Sequence, residues 1–244
     1  MEIGGGLGIL TAELVKVAKR VYVIEIEHGL VEALQSLLGK NENLEIIEGD
    51  ALCIELPEAD KIVANLPYSI SSEITFRLLQ ELRFDYAVLM FQKEFAQRLL
   101  AKPGTSEYSR LSVNIQYQAK VESVMDVTAN MFYPVPAVDS EVVKIRHNTE
   151  GPRAKSDSVF FWVINGIFSY PNKNLRRALG ILLRNIGSSK DLADEILVKC
   201  GGYPTGKDKL RSIGIKGLIT LSDAVLDLIE AEILPDPRGK RLEG

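Results

Sequence analysis

The sequence predicts a doubly wound, mostly parallel α/β sheet followed by a smaller all-helical domain. Strand and helix patterns alternate through residues 1–147, which is the order that builds a parallel sheet covered by helices. Residues 152–235 show only helical periodicities. Between them lies the polar stretch HNTEGPRAKSD, residues 147–157, which contains Gly-Pro and has no periodicity, so we place the domain boundary there. We expect residues 236–244 to form a tail.

The elements of the first domain follow from local patterns. Glycines at residues 4–8 predict a turn out of a short first strand and into a helix at residues 9–18. The segment VYVIEIE, residues 21–27, is rich in β-branched residues and predicts the second strand. Further strands are predicted at residues 44–50, 60–66, 84–91, 111–118 and 140–146, and further helices at residues 30–38, 74–82 and 93–100. The last two strands are expected to close the sheet as an antiparallel pair.

Four helices are predicted in the second domain, each from an apolar stripe at helical spacing. Their sequences are SVFFWVINGIF (158–168), NLRRALGILLRN (174–185), KDLADEILVKC (190–200) and SDAVLDLIEAEIL (222–234). The Gly-Gly-Tyr-Pro segment at residues 201–204 ends the third helix and Pro235 ends the fourth, because these residues do not continue a helix.

The charge of the chain is unevenly distributed. Residues 1–150 carry 14 Lys and Arg against 22 Asp and Glu, a net charge of -8, whereas residues 151–217 carry 12 against 5, a net charge of +7. The remaining 27 residues carry 3 against 6, which restores the total of -4. A basic segment therefore follows an acidic domain. On charge alone, a face that binds a polyanion and a solvated helical surface are equally acceptable interpretations.

Several classes of protein are disfavoured by composition. No apolar run approaches the length of a membrane span, and no secretory leader pattern follows Met1. Cys53 and Cys200 lie too far apart in sequence to suggest a disulfide framework, and His28 and His147 are too isolated to suggest a metal site. We therefore expect a cytoplasmic protein without a metal.

The first motif is the glycine turn in EIGGGLG, residues 2–8. Glycines at alternate positions let the backbone turn tightly and approach a ligand closely. A dinucleotide site would have its third glycine at residue 9, which is Ile here, whereas the third glycine falls at residue 8. The spacing therefore favours S-adenosylmethionine over a pyrophosphate, although many nucleotide-binding proteins share such a turn.

Two carboxylates are predicted to follow at strand ends. Glu25 ends the second strand about twenty residues after the glycines, where an acid can accept hydrogen bonds from ribose hydroxyls. Asp50 closes the third strand, where it would accept a hydrogen bond from the amine of a cofactor adenine. A surface acid is the plain alternative for Glu25, and a capped turn is the alternative for Asp50.

The most informative motif is Asn65-Leu66-Pro67-Tyr68, which closes the fourth predicted strand. Adenine N6 is a poor nucleophile because its lone pair is delocalised into the ring. Two acceptors on its hydrogens, the Asn65 side-chain oxygen and the Leu66 carbonyl, would draw this nitrogen toward tetrahedral geometry. Pro67 fixes φ and offers no competing N–H. Tyr68 offers a flat face for an extruded base, and such stacking is worth about 1–3 kcal/mol.

A strand end with a turn proline and a half-buried tyrosine is the alternative interpretation of this segment. Four motifs in the right order, each at a predicted strand end, favour a site instead. Together they resemble the ribosomal RNA adenine dimethyltransferases, the small-subunit enzymes whose loss gives kasugamycin resistance, and more distantly the erythromycin-resistance methylases. The resemblance covers nearly the whole chain and rests on EIGGGLGILT, VIEIE, GDAL, NLPYSISS and MFYPVPAVDS in family order. EFAQRLLAKPGTSEYSRLSV is most similar to the archaeal branch.

The resemblance implies a Rossmann-like class I methyltransferase domain with a helical domain that docks RNA. It implies that S-adenosylmethionine is bound by Glu2, Gly4, Gly6, Glu25, Ile26, Asp50, Ala51 and Asn65. Asn65 and Leu66 would hold the target amine, and Tyr68 and Phe132 would sandwich the target adenine. A buried core phenylalanine is the alternative for Phe132. Phosphate contacts would come from Lys173, Arg176 and Arg177, for which an exposed amphipathic helix is the compatible alternative.

The implied substrate is a pair of neighbouring adenines in a hairpin near the 3′ end of small-subunit rRNA, each methylated twice during ribosome biogenesis. We expect a monomer that acts on a pre-30S-like particle. Family members carry several dozen residues before the first motif, and Met1 falls inside that motif here. We therefore expect an N-terminally truncated chain or a mis-assigned start, with a short first strand and with cofactor binding that is weak or absent. The alternatives are a non-catalytic RNA-binding assembly factor and a methyltransferase acting on DNA adenine or a protein amide.

Overall fold

The computed structural model describes residues 1–236, so the predicted tail at 236–244 lies outside the described residues apart from Asp236. The chain forms two compact units. The first contains Met1–Leu100 and Gln118–Asn148, and the second contains Ala101–Tyr117 and the residues from Thr149 on. Residues 101–117, which we predicted to belong to the methyltransferase domain, are therefore part of the second unit.

The first unit is built on strands that mostly run parallel. The strands in residues 1–236 are β1 (Glu2–Ile3), β2 (Val21–Glu25), β3 (Leu44–Glu48), β4 (Lys61–Asn65), β5 (Tyr86–Gln92), β6 (Ala119–Val127) and β7 (Ser140–His147). The pairs β1–β2, β2–β3 and β4–β5 are parallel, whereas β7 is antiparallel to both β5 and β6. The expected mostly parallel sheet is confirmed, and an antiparallel pair, β6 and β7, closes it, although β6 is not the segment predicted to pair with β7.

Backbone hydrogen bonds place β1 beside β4. The Val63 N–H donates to the Met1 carbonyl at 2.9 Å, and the Met1 nitrogen donates to the Lys61 carbonyl at 2.8 Å. This alternation is that of parallel neighbours. The resulting strand order is β3-β2-β1-β4-β5-β7-β6. Strands β1 to β3 are added toward one edge of the sheet and the strands from β4 on are added toward the other, so the order of addition reverses between β1 and β4. Ligands of doubly wound folds bind at such a reversal, outside the carboxyl ends of the strands.

Helices of the first unit connect the strands. They are α1 (Ile9–Val17), α2 (His28–Leu38), α3 (Ser71–Glu81) and α4 (Lys93–Leu100), and a short 3-10 turn at Tyr68–Ile70 precedes α3. A Cβ on Gly5 would lie 2.6 Å from Val23 Cγ2 and 2.9 Å from Leu34 Cδ1, so this glycine lets the turn pack tightly on the sheet and on α2. The predicted apolar face of the first helix is only partly buried, because Ile9 remains 82% exposed.

The predicted strand at residues 111–118 is wrong. This segment is the helix α5 (Arg110–Gln118), and the strand that pairs with β7 is β6. Its apolar residues, Leu111, Val113, Ile115 and Tyr117, alternate in sequence as they would in a half-buried strand. The intervening Ser112 and Asn114 are buried as well, so the helix is buried around most of its surface and its pattern does not show a helical period.

The second unit contains α5 and the predicted helices. The latter are α6 (Asp157–Ile167), α7 (Leu175–Asn185), α8 (Leu192–Lys199) and α9 (Ile215–Glu230), so α9 begins seven residues before the predicted start. Tyr117 on α5 stacks on Phe160 of α6 with ring centroids 4.0 Å apart. Side-chain oxygens of Ser156 and Asn174 cap α6 and α7 by accepting backbone N–H groups. Within residues 1–236, no helix has the length and apolarity that a membrane span requires.

Candidate active site

Four predicted motifs meet at one edge of the first unit. The glycine turn follows β1, Glu25 ends β2, Asp50 follows β3 and Asn65 ends β4. The parallel strands bring these carboxyl ends to the same edge of the sheet.

The glycine turn lies against the segment that follows β4. Gly4 and Gly6 adopt left-handed backbone conformations, with φ of +77° and +53°. A Cβ on Gly4 would lie 3.5 Å from Pro67 Cδ and 3.8 Å from the Asn65 carbonyl oxygen. A Cβ on Gly6 would meet no atom within 4 Å. The first and fourth motifs are therefore adjacent, and open space lies beside Gly6.

The Glu25 carboxylate holds the turns around it. Its Oε2 accepts the Gly6 N–H at 2.9 Å, and its Oε1 accepts the Ile26 N–H at 2.9 Å and the Glu27 N–H at 3.0 Å. A carboxylate offers about four lone-pair positions, so Oε2 retains one for a further donor. Glu25 is buried, unlike the surface acid that was its alternative, while the Ile26 side chain is exposed.

Glu2 is an almost fully buried acid at the start of the site. It is 1% exposed, and the Thr11 hydroxyl donates to its Oε2 at 2.6 Å. Burial raises the pKa of Glu2 to about 7, against the opposing effect of the Thr11 hydrogen bond. Glu2 therefore changes charge near neutral pH, beside the glycine turn.

Asp50 caps the turn after β3 with one carboxylate oxygen, and its other oxygen accepts only one long hydrogen bond. Its Oδ1 accepts the Leu52 N–H at 2.8 Å, and its Oδ2 receives only the Cys53 thiol, at 3.5 Å. Arg77 of α3 braces the same turn by donating to the carbonyls of Ala51 and Ile54, the latter at 2.6 Å. The capped turn is present, and Oδ2 remains able to accept a hydrogen bond from a ligand. Sequence patterns gave no signal for Arg77.

The segment after β4 contains two oxygens that accept no hydrogen bond from the described residues. The Asn65 side chain is exposed, although its neighbours Ala64 and Leu66 are buried. Among residues 1–236, no group donates to the Asn65 side-chain oxygen or to the Leu66 carbonyl. Pro67 holds φ at -57° and begins the turn that leads to Tyr68. Neither of the two oxygens predicted to hold the target amine therefore accepts a hydrogen bond from the described residues.

Tyr68 lies in the turn after β4, and Phe132 lies in the loop between β6 and β7. Tyr68 is half-buried after β4, and its hydroxyl lies 2.9 Å from Ser140 Oγ at the start of β7. Phe132 is half-buried in the loop before β7. The base of that loop is closed by the Ala129 N–H, which donates to Asp139 Oδ1 at 2.9 Å. Neither residue is a fully buried core aromatic.

A basic cleft lies on α7 in the second unit. It has a volume of about 280 Å³ and is lined by Lys173, Arg176, Arg177, Gly180, Ile181, Arg184 and Lys190. Arg176 is bound to Asp194 by two hydrogen bonds of 2.6 Å, so its guanidinium is already occupied. Our prediction missed Arg184 and Lys190. Arg184 follows Arg177 by seven residues, which is two helical turns, so spacing alone could have identified it.

Residues 1–236 contain no cluster of three or more His, Cys, Asp or Glu side chains arranged to bind a metal ion.

Comparison with known proteins gives consistent matches over most of the chain. Residues 1–197 match the family described as ribosomal RNA adenine dimethylase. A Methanococcus maripaludis protein named probable ribosomal RNA small subunit methyltransferase A is 45% identical over 201 residues, which cover 82% of this chain and 76% of that protein. The solved dimethyladenosine transferase from Plasmodium falciparum is 29% identical with a TM-score of 0.79, covering 95% of this chain and 90% of that one. The solved 23S rRNA methyltransferase ErmE is 27% identical with a TM-score of 0.67, covering 91% and 88%.

Proposed function

Because the chain belongs to the ribosomal RNA adenine dimethylase family, we propose that it transfers methyl groups from S-adenosylmethionine to adenine N6 in ribosomal RNA. The observation that carries this proposal is a pair of oxygens, Asn65 Oδ1 and the Leu66 carbonyl, that accept no hydrogen bond from residues 1–236 and belong to the segment that lies against the glycine turn, where the strand order reverses. Two acceptors at that place suit a primary amine that must be held and polarised.

The residues at the sheet edge fit the proposed cofactor. Gly6 leaves open space for a ligand to approach the backbone, Glu25 Oε2 retains a lone pair for a ribose hydroxyl, and Asp50 Oδ2 is available to an adenine amine. We place Glu2, Gly4, Ile26 and Ala51 around the same ligand. When bound, S-adenosylmethionine supplies a methyl group activated on a positively charged sulfur.

The chain's own residues orient and activate the target nitrogen. Asn65 Oδ1 and the Leu66 carbonyl each accept one N6 hydrogen, which draws the nitrogen lone pair out of conjugation and aims it at the methyl carbon. With S-adenosylmethionine bound, this nitrogen would receive the methyl group and would then release one proton to water. Tyr68 and Phe132 hold the extruded adenine between their rings, since stacking contributes about 1–3 kcal/mol per base. No strong base is required.

From the family we also propose which adenines of the ribosomal RNA are methylated. The targets are two neighbouring adenines in a hairpin near the 3′ end of small-subunit rRNA, each dimethylated on a precursor particle in the cytoplasm by a monomer. The basic cleft of the second unit would contact the RNA backbone through Lys173 and Arg177, joined by Arg184 and Lys190. Arg176, also predicted as a phosphate contact, would first have to leave Asp194.

The test is methyl transfer from tritiated S-adenosylmethionine to small-subunit particles that lack the modification. We expect label in rRNA adenine, and loss of label with Asn65→Ala. Asn41→Ala is the matched control, because Asn41 lies just before β3 at the opposite edge of the sheet. Particle binding without any incorporation would instead indicate a non-catalytic assembly factor. Label in DNA or in protein glutamine, with none in rRNA, would overturn the proposed substrate.

A further inference from the structure

One side-chain hydrogen bond connects the turn after β4 with the start of β7, although β4 and β7 are not neighbours in the sheet. The Tyr68 hydroxyl, after β4, lies 2.9 Å from Oγ of Ser140, the first residue of β7. The strand β5 lies between β4 and β7, so the phenol side chain reaches across the end of β5. Ser140 is fully buried, whereas Tyr68 is half-buried.

Ser140 is also the anchor of the loop that carries Phe132. Asp139, the residue before it, accepts the Ala129 N–H on its side chain and the Lys93 N–H on its carbonyl, both at 2.9 Å. The two ends of the loop are therefore held together at Ala129 and Asp139. Ser140 is the next residue after Asp139, so it is attached directly to this fixed end of the loop. Its hydroxyl is a direct connection between the element that bears Phe132 and the ring of Tyr68.

We propose that Ser140 is a positioning residue for methyl transfer, because its hydroxyl fixes the Tyr68 ring relative to the loop that carries Phe132. This inference rests on the proposed function, in which the two rings form the slot for the target adenine. A tyrosine side chain has two rotatable bonds, and a half-buried ring without an anchor can tilt away from the base. With its hydroxyl held by a fully buried group, the long axis of the ring keeps one position, so this side of the slot is in place before RNA binds.

The alternative is that Tyr68 merely satisfies a buried serine, since buried hydroxyl groups need a partner. A purely structural hydrogen bond would affect the melting temperature and leave the kinetics of the folded enzyme unchanged. A positioning role affects kcat/KM for RNA while leaving the Kd for S-adenosylmethionine unchanged, because neither residue belongs to the proposed cofactor contacts.

The test is a double-mutant cycle with Ser140→Ala and Tyr68→Phe, each of which removes the same hydrogen bond from one end. We expect each to lower kcat/KM for methylation by about 3- to 10-fold, as for loss of one hydrogen bond. The double variant should be no slower than either single variant, because the bond can be lost only once. Ser140→Thr, which keeps the hydroxyl, should restore part of the rate.

A fluorescent base gives an independent readout. With 2-aminopurine at the target position of the RNA, both single variants should show weaker stacking of the extruded base at saturating enzyme. Tyr86→Phe is the matched control, because Tyr86 lies at the opposite end of β5 and is in contact with Lys61 and Lys144 rather than with the site. If Ser140→Ala does not fold, Tyr68→Phe still tests the same bond.

Two results would overturn the inference: unchanged kcat/KM in both single variants, or effects that multiply in the double variant. Tyr68→Ala separates this failure from failure of the proposed function. If Tyr68→Ala is inactive while Ser140→Ala is normal, the stacking role stands and only the role of Ser140 is lost. If Tyr68→Ala is fully active, the aromatic slot itself is wrong.

Discussion

Gly6→Ala tests whether the open space beside the glycine turn is the cofactor site. At φ of +53°, alanine would cost about 1–2 kcal/mol, because its Cβ approaches the following carbonyl oxygen in the left-handed region. The added methyl group would meet no protein atom within 4 Å, so no steric term adds to that strain. In the proposed complex, however, the methyl group occupies the space through which the ligand contacts the turn. We expect the Kd for S-adenosylmethionine to rise at least about tenfold, or 1.4 kcal/mol.

Gly201→Ala is a closely matched control. Gly201 also has a left-handed backbone, with φ of +66°, and a Cβ there would likewise meet no atom within 4 Å, but it follows α8 in the second unit. Both variants should lose a similar amount of stability, measured by thermal unfolding. Calorimetric titration should show a weakened Kd only for Gly6→Ala. Equal affinity of Gly6→Ala and the unsubstituted chain would refute the assignment of this space to the cofactor.

Three further predictions concern Glu2, Asn65 and the basic cleft. Because burial raises the pKa of Glu2 to about 7, the folded protein retains this proton where the unfolded chain has lost it, and the free energy of unfolding falls as pH rises from about 4.5 to 7. The fall is at most about 3 kcal/mol, and Glu2→Gln should flatten it in urea unfolding at pH 5 and pH 8; an unchanged slope would contradict the assignment. Asn65→Ala should lower kcat by roughly 100-fold or more, as when one preorganised polar group is removed, and should also raise the cofactor Kd, because Asn65 is an expected cofactor contact; a weakened Kd with normal kcat would indicate a binding role alone. Arg184→Ala and Lys190→Ala should each reduce the slope of log K for RNA against log salt by about 0.7–0.9, whereas Lys216→Ala, which lies outside the cleft, should not; equal effects of all three would mean general attraction rather than a defined contact.

Sequence patterns predicted the strand ends well, because each motif combines a buried strand with a polar residue that has no place inside the sheet. Glu25 closes a strand whose earlier residues are apolar, and Asn65 follows the apolar residues Ile62, Val63 and Ala64 of β4. The pattern failed at residues 111–118, where a helix buried on most sides has no polar face to reveal its period. Hydrophobic periodicity distinguishes a helix from a strand only when one face of the segment is exposed and polar. A segment without such a face can be read as either.

Partners brought together by the fold were beyond the reach of sequence. Arg77 contacts the turn after Asp50 from a helix more than twenty residues away, and Ser140 contacts Tyr68 across 72 residues. Arg176 shows the converse, since its place in a basic stretch suggested a phosphate contact while Asp194, 18 residues on, occupies its guanidinium. Composition indicates which charges are present, and only tertiary structure shows which of them are already paired.

The apolar middle of the Asn65-Leu66-Pro67-Tyr68 segment explains how two weak acceptors can act on an amine. Leu66 is 1% exposed, so its side chain fixes the peptide that carries one acceptor, and Pro67 fixes the next φ. Asn65, whose side chain carries the other acceptor, ends β4. The pairing of β4 with β5 fixes the backbone of Asn65. The rigid backbone has therefore lost its conformational entropy during folding rather than during binding. The Leu66 carbonyl, held in this way, can favour a pyramidal nitrogen over a planar one, because it does not move to follow the ground-state amine. The same oxygens on a mobile loop would bind adenine in its planar form and would contribute to affinity without contributing to rate.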